Sequence, residues 1–142
     1  IASIRTVFEK FLTFGDGRER RDWIWGSDFC QGALLALQKA APGSLYNPGA
    51  ENECTNQQVA ALLCEALDYP AGKLRHVSDR PGHDRRYAMD CSKAAEELKF
   101  KPRREFAAAI RQTVAWYKER SAWAEQVRRE SAEYFEKNYG SR

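Results

Sequence analysis

"DRPGHDRRYAMDCSKAAEEL", residues 79–98, passes from a charged turn through an extended piece into a helix. Pro81 fixes φ and Gly82 tolerates φ > 0, so the backbone can bend sharply there. "RYAMD" (86–90) returns as extended chain. Asp90 is placed to cap a helix over "CSKAAEEL" (91–98). An extended segment followed by a capped helix is the unit of a mixed α/β domain.

The flanks repeat the pattern. "LRHVS" (74–78) predicts a strand leading into the charged turn. "TNQQVAALLCEAL" (55–67) predicts a helix: Thr55 and Gln58 match a capping box, and Val59, Leu62, Leu63, Ala66 and Leu67 form one stripe. "SLYN" (44–47) predicts a short strand ending at Pro48-Gly49. "SDFCQGALLALQKA" (27–40) predicts a helix capped by Ser27 and stopped by Pro42-Gly43, its apolar middle largely buried. "FLTF" (11–14) predicts a strand before the turn "GDG", and "RDWIW" (21–25) another extended piece.

Beyond Pro102, "REFAAAIRQTVAWYKER" (104–120) predicts a helix with Phe106, Ile110, Val114 and Tyr117 on one face. Ser121 opens a last helix to about residue 136, with Trp123, Val127, Tyr134 and Phe135 as its apolar contacts. The expectation is one domain over residues 1–142, a small sheet with flanking helices, and helices accumulating in the C-terminal half.

Composition agrees: 43% hydrophobic and 30% charged residues describe an ordinary globular chain. The longest apolar stretch, "GALLAL", is far too short to span a bilayer, so no membrane association is expected. Net charge is +3, too mild to demand a polyanionic partner. The first residue is Ile1 and not Met, which predicts a piece of a longer protein. Cys30, Cys54, Cys64 and Cys91 form no C-x-x-C pair, and His76 and His83 lack metal-finger spacing. No metal site is expected, and isolated cysteines without a signal segment fit the reducing cytoplasm.

Two charged stretches can carry chemistry. In the turn at 79–87, Arg80, Arg85 and Arg86 can fork onto phosphate oxygens, with Asp79 and Asp84 orienting them. The same residues also make a solvated turn with local ion pairs. In "GDGRERRDW" (15–23), flanked by Phe14, a base can stack on Phe14 or Trp23 while an arginine takes a phosphate, or the stretch can be a plain surface turn and strand. Tyr69 and Lys73 have the spacing of a catalytic tyrosine–lysine pair, but Pro70 and Gly72 between them oppose the helix that such a pair needs. No glycine-rich phosphate loop and no nucleophile elbow is present, so the chain reads as a binding unit without catalytic or cofactor-binding residues.

"FGDGRERRDW", "LYNPGAENECTN", "DRPGHDRRYAMDCSKAAEELKFKP" and "AIRQTVAWY", in that order, resemble the C-terminal part of the dTDP-glucose 4,6-dehydratase family of extended short-chain dehydrogenase/reductases. The resemblance implies a fold, the small substrate-binding domain, whose NAD-binding Rossmann partner domain is absent from this sequence. It implies a parent enzyme in which NAD oxidises the sugar at carbon 4, water leaves across carbons 5 and 6, and hydride returns to carbon 6. A homodimeric parent is implied, with dTDP-glucose as substrate, and no turnover or NAD binding by this piece alone. The implied substrate contacts are Phe14 against the base, Arg21 on the nucleotide, Asn56, the turn Asp79, Arg80, Pro81, Gly82 and His83, and Tyr139 near the diphosphate. Leu12-Thr13-Phe14 stands where the family has Pro-x-Tyr, which removes a phenolic hydroxyl, and Pro48 removes a backbone donor. The alternatives are a stand-alone nucleotide-sugar-binding or regulatory module and a related epimerase or decarboxylase. Nucleic-acid binding through "RERR" is disfavoured because acids interleave with the arginines.

Overall fold

Two short strands open the described part of the chain, which comprises residues 12–70, 75–79 and 81–132 of this computed structural model. β1 (Leu12–Phe14) and β2 (Arg20–Asp22) are joined through the Gly15–Gly17 turn. Gly15 has φ 57°, and a Cβ there would lie 2.9 Å from an Asp79 carboxylate oxygen, so conformation and close approach both demand glycine. There follow α1 (Gly26–Lys39), β3 (Glu53–Thr55), α2 (Asn56–Leu67), β4 (Arg75–Val77), β5 (Arg86–Tyr87), α3 (Ser92–Leu98), α4 (Phe106–Glu119) and α5 (Ser121–Glu130).

β1 pairs in parallel with β4, Phe14 opposite Val77. β2 is the centre of a three-stranded sheet, antiparallel to β3 and parallel to β5. Thr55, Arg20 and Arg86 share one row of that sheet; Cys54, Arg21 and Tyr87 share the next. Side chains alternate along a strand, so adjacent rows point to opposite faces.

The capping box of α2 forms as expected: Thr55 Oγ1 accepts from Gln58 N at 3.2 Å, and Gln58 Oε1 accepts from Thr55 N at 2.8 Å. α2 packs on α4, where Val59, Ala60 and Cys64 are buried on one side and Ala109 and Val114 on the other. α3 packs on α1 around Ala94, Leu98 and Phe100, joined by Ile24, Leu35, Ala36 and Tyr46. Asp90 accepts from Ser92 N at 2.9 Å at the head of α3. Glu105 heads α4, accepting from Ala107 N and Ala108 N at 2.8 Å each, and these two bonds hold its carboxyl below the usual range.

Four expectations are corrected. Ser27 does not cap α1: the helix starts at Gly26 and Trp25 at its cap makes no side-chain bond. The anchor is instead the buried Asp28, which accepts from Arg103 N at 3.0 Å and Arg104 N at 3.1 Å. The middle of α1 is not largely buried. Phe29, Leu34 and Leu37 are exposed, Leu37 at 84%, because the helix packs through the stripe that faces α3. "SLYN" forms no strand; the Tyr46 hydroxyl donates to Glu97 at 2.6 Å and the Asn47 amide to the Asp90 carbonyl at 3.3 Å, so side chains and not a ladder hold it. On α5 the buried contact is Ala124, whereas Trp123 and Val127 stay exposed; Trp123 stacks edge-on with Trp116, centroids 5.3 Å apart. Tyr134, Phe135 and the reach of that helix to residue 136 lie outside the described residues. Asp68, in the left-handed region at φ 54°, ends α2 before Tyr69, and Lys73 is outside the description. Among the described residues no helix is long and apolar enough to cross a membrane.

Candidate functional site

The site is built where β2, the start of α2 and the turn before β5 converge. Arg21 is aimed by its alternation on the central strand, and its guanidinium lies over the Tyr87 ring, 4.4 Å from the centroid. One guanidinium nitrogen donates to the Asp84 carbonyl at 3.0 Å and meets His83 Nε2 at 3.1 Å. His83 Nδ1 lies 2.7 Å from Asp79 Oδ1, and the imidazole side chain is only 5% exposed. The turn that carries these groups is shaped by Pro81 and by Gly82 at φ 72°, both exposed.

Asn56, the first residue of α2, donates to a Glu19 carboxylate oxygen at 3.3 Å. Glu19 is 2% exposed and also accepts from Arg85 at 3.4 Å. One ligand atom each from Glu19, Asp79 and His83 fall within 4.8 Å of one another. Each of the three is already hydrogen-bonded, and the guanidiniums of Arg21 and Arg85 touch the group and offset its carboxylates, which opposes a cation. Arg85 forks onto Asp16 at 2.7 and 3.1 Å; this bond holds the Asp16 carboxyl far below its usual range and raises the Arg85 guanidinium.

The structure thus links Arg21, Asn56, Asp79 and His83 into one network, with Pro81 and Gly82 in the turn that supports it. Phe14 ends β1 immediately before Gly15, whose Cα lies against Asp79, so its backbone adjoins the network. Arg80 and Tyr139 lie outside the described residues. The sequence reading had Arg85 and Arg86 free for phosphate and Asp84 orienting them. Instead Arg85 is spent on Asp16 and Glu19, Arg86 on Glu53 at 2.5 and 2.7 Å, and the Asp84 carboxylate accepts from the Tyr87 hydroxyl. Trp23 is no base-stacking shelf here: its ring packs on Phe106, centroids 6.2 Å apart, beyond the end of β2.

Sequence reasoning missed Glu19, Asp16 and Tyr87. Glu19 stood in a run read as basic, and the signal available was a lone acid flanked by arginines just ahead of the central strand. The aspartate of "RDW" is structural: the Asp22 carboxylate accepts from the N–H groups of Ala50, Glu51 and Asn52 at 3.0, 3.3 and 2.8 Å. It thereby holds the loop that delivers β3 and Asn56.

β3 enters α2 directly through Thr55 and Asn56, with no glycine at the junction to admit a pyrophosphate.

A family model described as GDP-mannose 4,6 dehydratase matches residues 1–113. A dTDP-glucose 4,6-dehydratase of an Actinoplanes species is 46% identical over 110 residues, covering 78% of this chain and 34% of that protein. The Streptomyces antibioticus dTDP-glucose 4,6-dehydratase is 41% identical over 119 residues, covering 84% and 36%. Among solved structures, a dTDP-glucose 4,6-dehydratase from Streptomyces venezuelae with NAD bound superposes with a TM-score of 0.79 at 33% identity, covering 85% of this chain and 38% of that one. A UDP-glucose 4-epimerase from Thermotoga maritima, solved with UDP-glucose, gives 0.74 at 26% identity over 82% and 38%. The chain spans about a third of the length of the curated relatives it matches. It belongs to the GDP-mannose 4,6 dehydratase family and matches the C-terminal part of its dTDP-glucose 4,6-dehydratase relatives.

Proposed function

We propose that this chain is the nucleotide-sugar grip of an NAD-dependent dTDP-glucose 4,6-dehydratase, forming a single domain over residues 1–142. One observation carries the reading: Arg21 is braced by His83 and the Asp84 carbonyl over the Tyr87 ring, in the network that also holds Asn56 and Asp79. Nη2 is spent on His83 and the Asp84 carbonyl and Nη1 donates to the Arg20 carbonyl at 2.6 Å, so the braced guanidinium offers a diphosphate oxygen its Nε–H and its second Nη1 hydrogen and loses little freedom on binding. Asn56 offers an amide donor and acceptor for ligand hydroxyls or base edges. The groups are donors and orienting acceptors, suited to gripping an anion.

On this reading NAD belongs to a Rossmann domain outside this sequence, the working enzyme is a homodimer, and the isolated chain turns nothing over. Four unpaired thiols accord with a cytoplasmic setting. Calorimetry with dTDP, dTDP-glucose and single-stranded DNA tests the grip. Saturable dTDP binding without DNA binding is the expected result; DNA binding with a steep salt dependence rejects it. A second reading, a related nucleotide-sugar epimerase, draws on the likeness to the UDP-glucose 4-epimerase. Competition between dTDP and UDP separates the two.

A further inference from the structure

The row of β2 next to Arg21 has its own cavity. Arg18, Arg20, Arg85 and Arg86, with Thr55 and Gln57, line a groove of about 530 Å³ that contains no carboxylate in its lining. Arg20, Thr55 and Arg86 share one sheet row, so this groove opens on the face away from Arg21 and Tyr87. Arg85 is bonded to Asp16 and Glu19, and Arg86 to Glu53. Those pairings consume the nearby acids. Among the described residues the side chains of Arg18 and Arg20 make no ion pair, although Arg18 lies within electrostatic reach of Asp16 and Arg20 within reach of Glu53. Both are exposed, with their forked donors unspent.

We propose that this groove is a second anion-binding site, which takes the phosphate groups of a small phosphorylated ligand through Arg18 and Arg20 on the face of the sheet opposite Arg21. Like charges held side by side repel, and a multiply charged anion relieves that repulsion while accepting two forks. The backbone at the head of α2 is not the donor set: Asn56 N is bonded to the Glu19 carbonyl, Gln57 N to the Gly17 carbonyl and Gln58 N to Thr55. Recognition is therefore by side chains, with the positive end of the α2 dipole adding to the field. The Gln57 side chain, tied to the Asp16 carbonyl at 2.6 Å, holds the rim to the turn that carries Arg18.

The test is titration of the full 142-residue chain with inorganic pyrophosphate, followed by calorimetry and by amide NMR. Saturable binding is expected, with shifts centred on Arg18, Arg20 and Gln57. With the Arg21 face saturated by dTDP, replacing Arg18→Gln and Arg20→Gln together should weaken pyrophosphate binding about tenfold or more. The double variant should keep its affinity for dTDP, so failure here is distinguishable from failure of the nucleotide-sugar grip. Arg18→Gln alone, in the turn ahead of β2, guards against a folding defect and should weaken binding about threefold. Absence of saturable binding overturns the proposal. So does retention of full pyrophosphate affinity in the double variant, or displacement of pyrophosphate by single-stranded DNA at equal phosphate concentration.

Discussion

Arg21 and His83, 62 positions apart in sequence, meet at 3.1 Å between a guanidinium nitrogen and Nε2. A guanidinium can only donate, so Nε2 accepts. Nδ1 then carries the hydrogen that Asp79 Oδ1 receives at 2.7 Å. One contact fixes the tautomer of the imidazole and ties the charged turn to the central strand.

Arg21→Ala removes both the remaining guanidinium donors and the brace. Affinity for dTDP should fall by about 2 kcal/mol, the loss of a charge-assisted contact, as read by calorimetry on a variant with unchanged circular dichroism. Arg21→Lys should not restore it, because a compact ammonium cannot span His83, the Asp84 carbonyl and a ligand oxygen as the planar guanidinium does. Unchanged affinity in either variant rejects the role given to Arg21.

Asp22→Ala should destabilise the chain by about 1–3 kcal/mol in urea unfolding, since the N–H groups of Ala50, Glu51 and Asn52 lose their shared acceptor. Asp22→Asn keeps one acceptor oxygen and should lose less. Equal stability of Asp22→Ala and the parent would show that water replaces the carboxylate.

Acid stability should track Asp16. Its carboxyl is held far below the ordinary value of 3.8, chiefly by the Arg85 bond. A depressed folded-state value contributes stability that is present above the unfolded value and lost as pH falls through the folded one. Glu53, lowered by its bond from Arg86, acts in the same direction. Urea midpoints should therefore fall on acidification below about pH 4, and fall less steeply in Asp16→Asn. Parallel pH profiles for the two proteins would remove Asp16 from the account.

Much of this was legible in the residues. The capping box at Thr55–Gln58, the turn at Pro81-Gly82 and the strand that carries Arg21 follow from local stereochemistry, which acts over a few residues. What stayed hidden depends on distant partners. Ser27 looked like a cap, but Asp28 found the N–H groups of Arg103 and Arg104. Arg85 and Arg86 looked free, but Asp16 and Glu53 claimed them from other strands and turns. The exposure of Leu37 and Leu45, at 84% and 85%, could not be read either, because an apolar residue does not name the surface that covers it.

Gly49 faces Cys91. A Cβ at Gly49 would lie 2.5 Å from the Cys91 sulfur and would also meet Asp22. Burial raises the Cys91 thiol pKa, so the sulfur sits there as a neutral group with no ionic reason to move. Gly49→Ala should cost about 1–3 kcal/mol by thermal unfolding, and Cys91→Ala in the same chain should recover part of it. Full additivity of the two substitutions would mean that they do not touch.

The alternation of the central strand has a consequence for sequence change. A single-residue insertion or deletion within Arg20–Asp22 would exchange inward and outward neighbours along the whole segment. Arg20 or Asp22 would then confront His83, and the loop at 50–52 would lose its acceptor in the same event. Length changes in the preceding Gly15–Gly17 bend carry no such inversion. The three residues of β2 are therefore the part of the chain where counting matters most, and where drift in length would break the Arg21–His83 contact before it erased the fold.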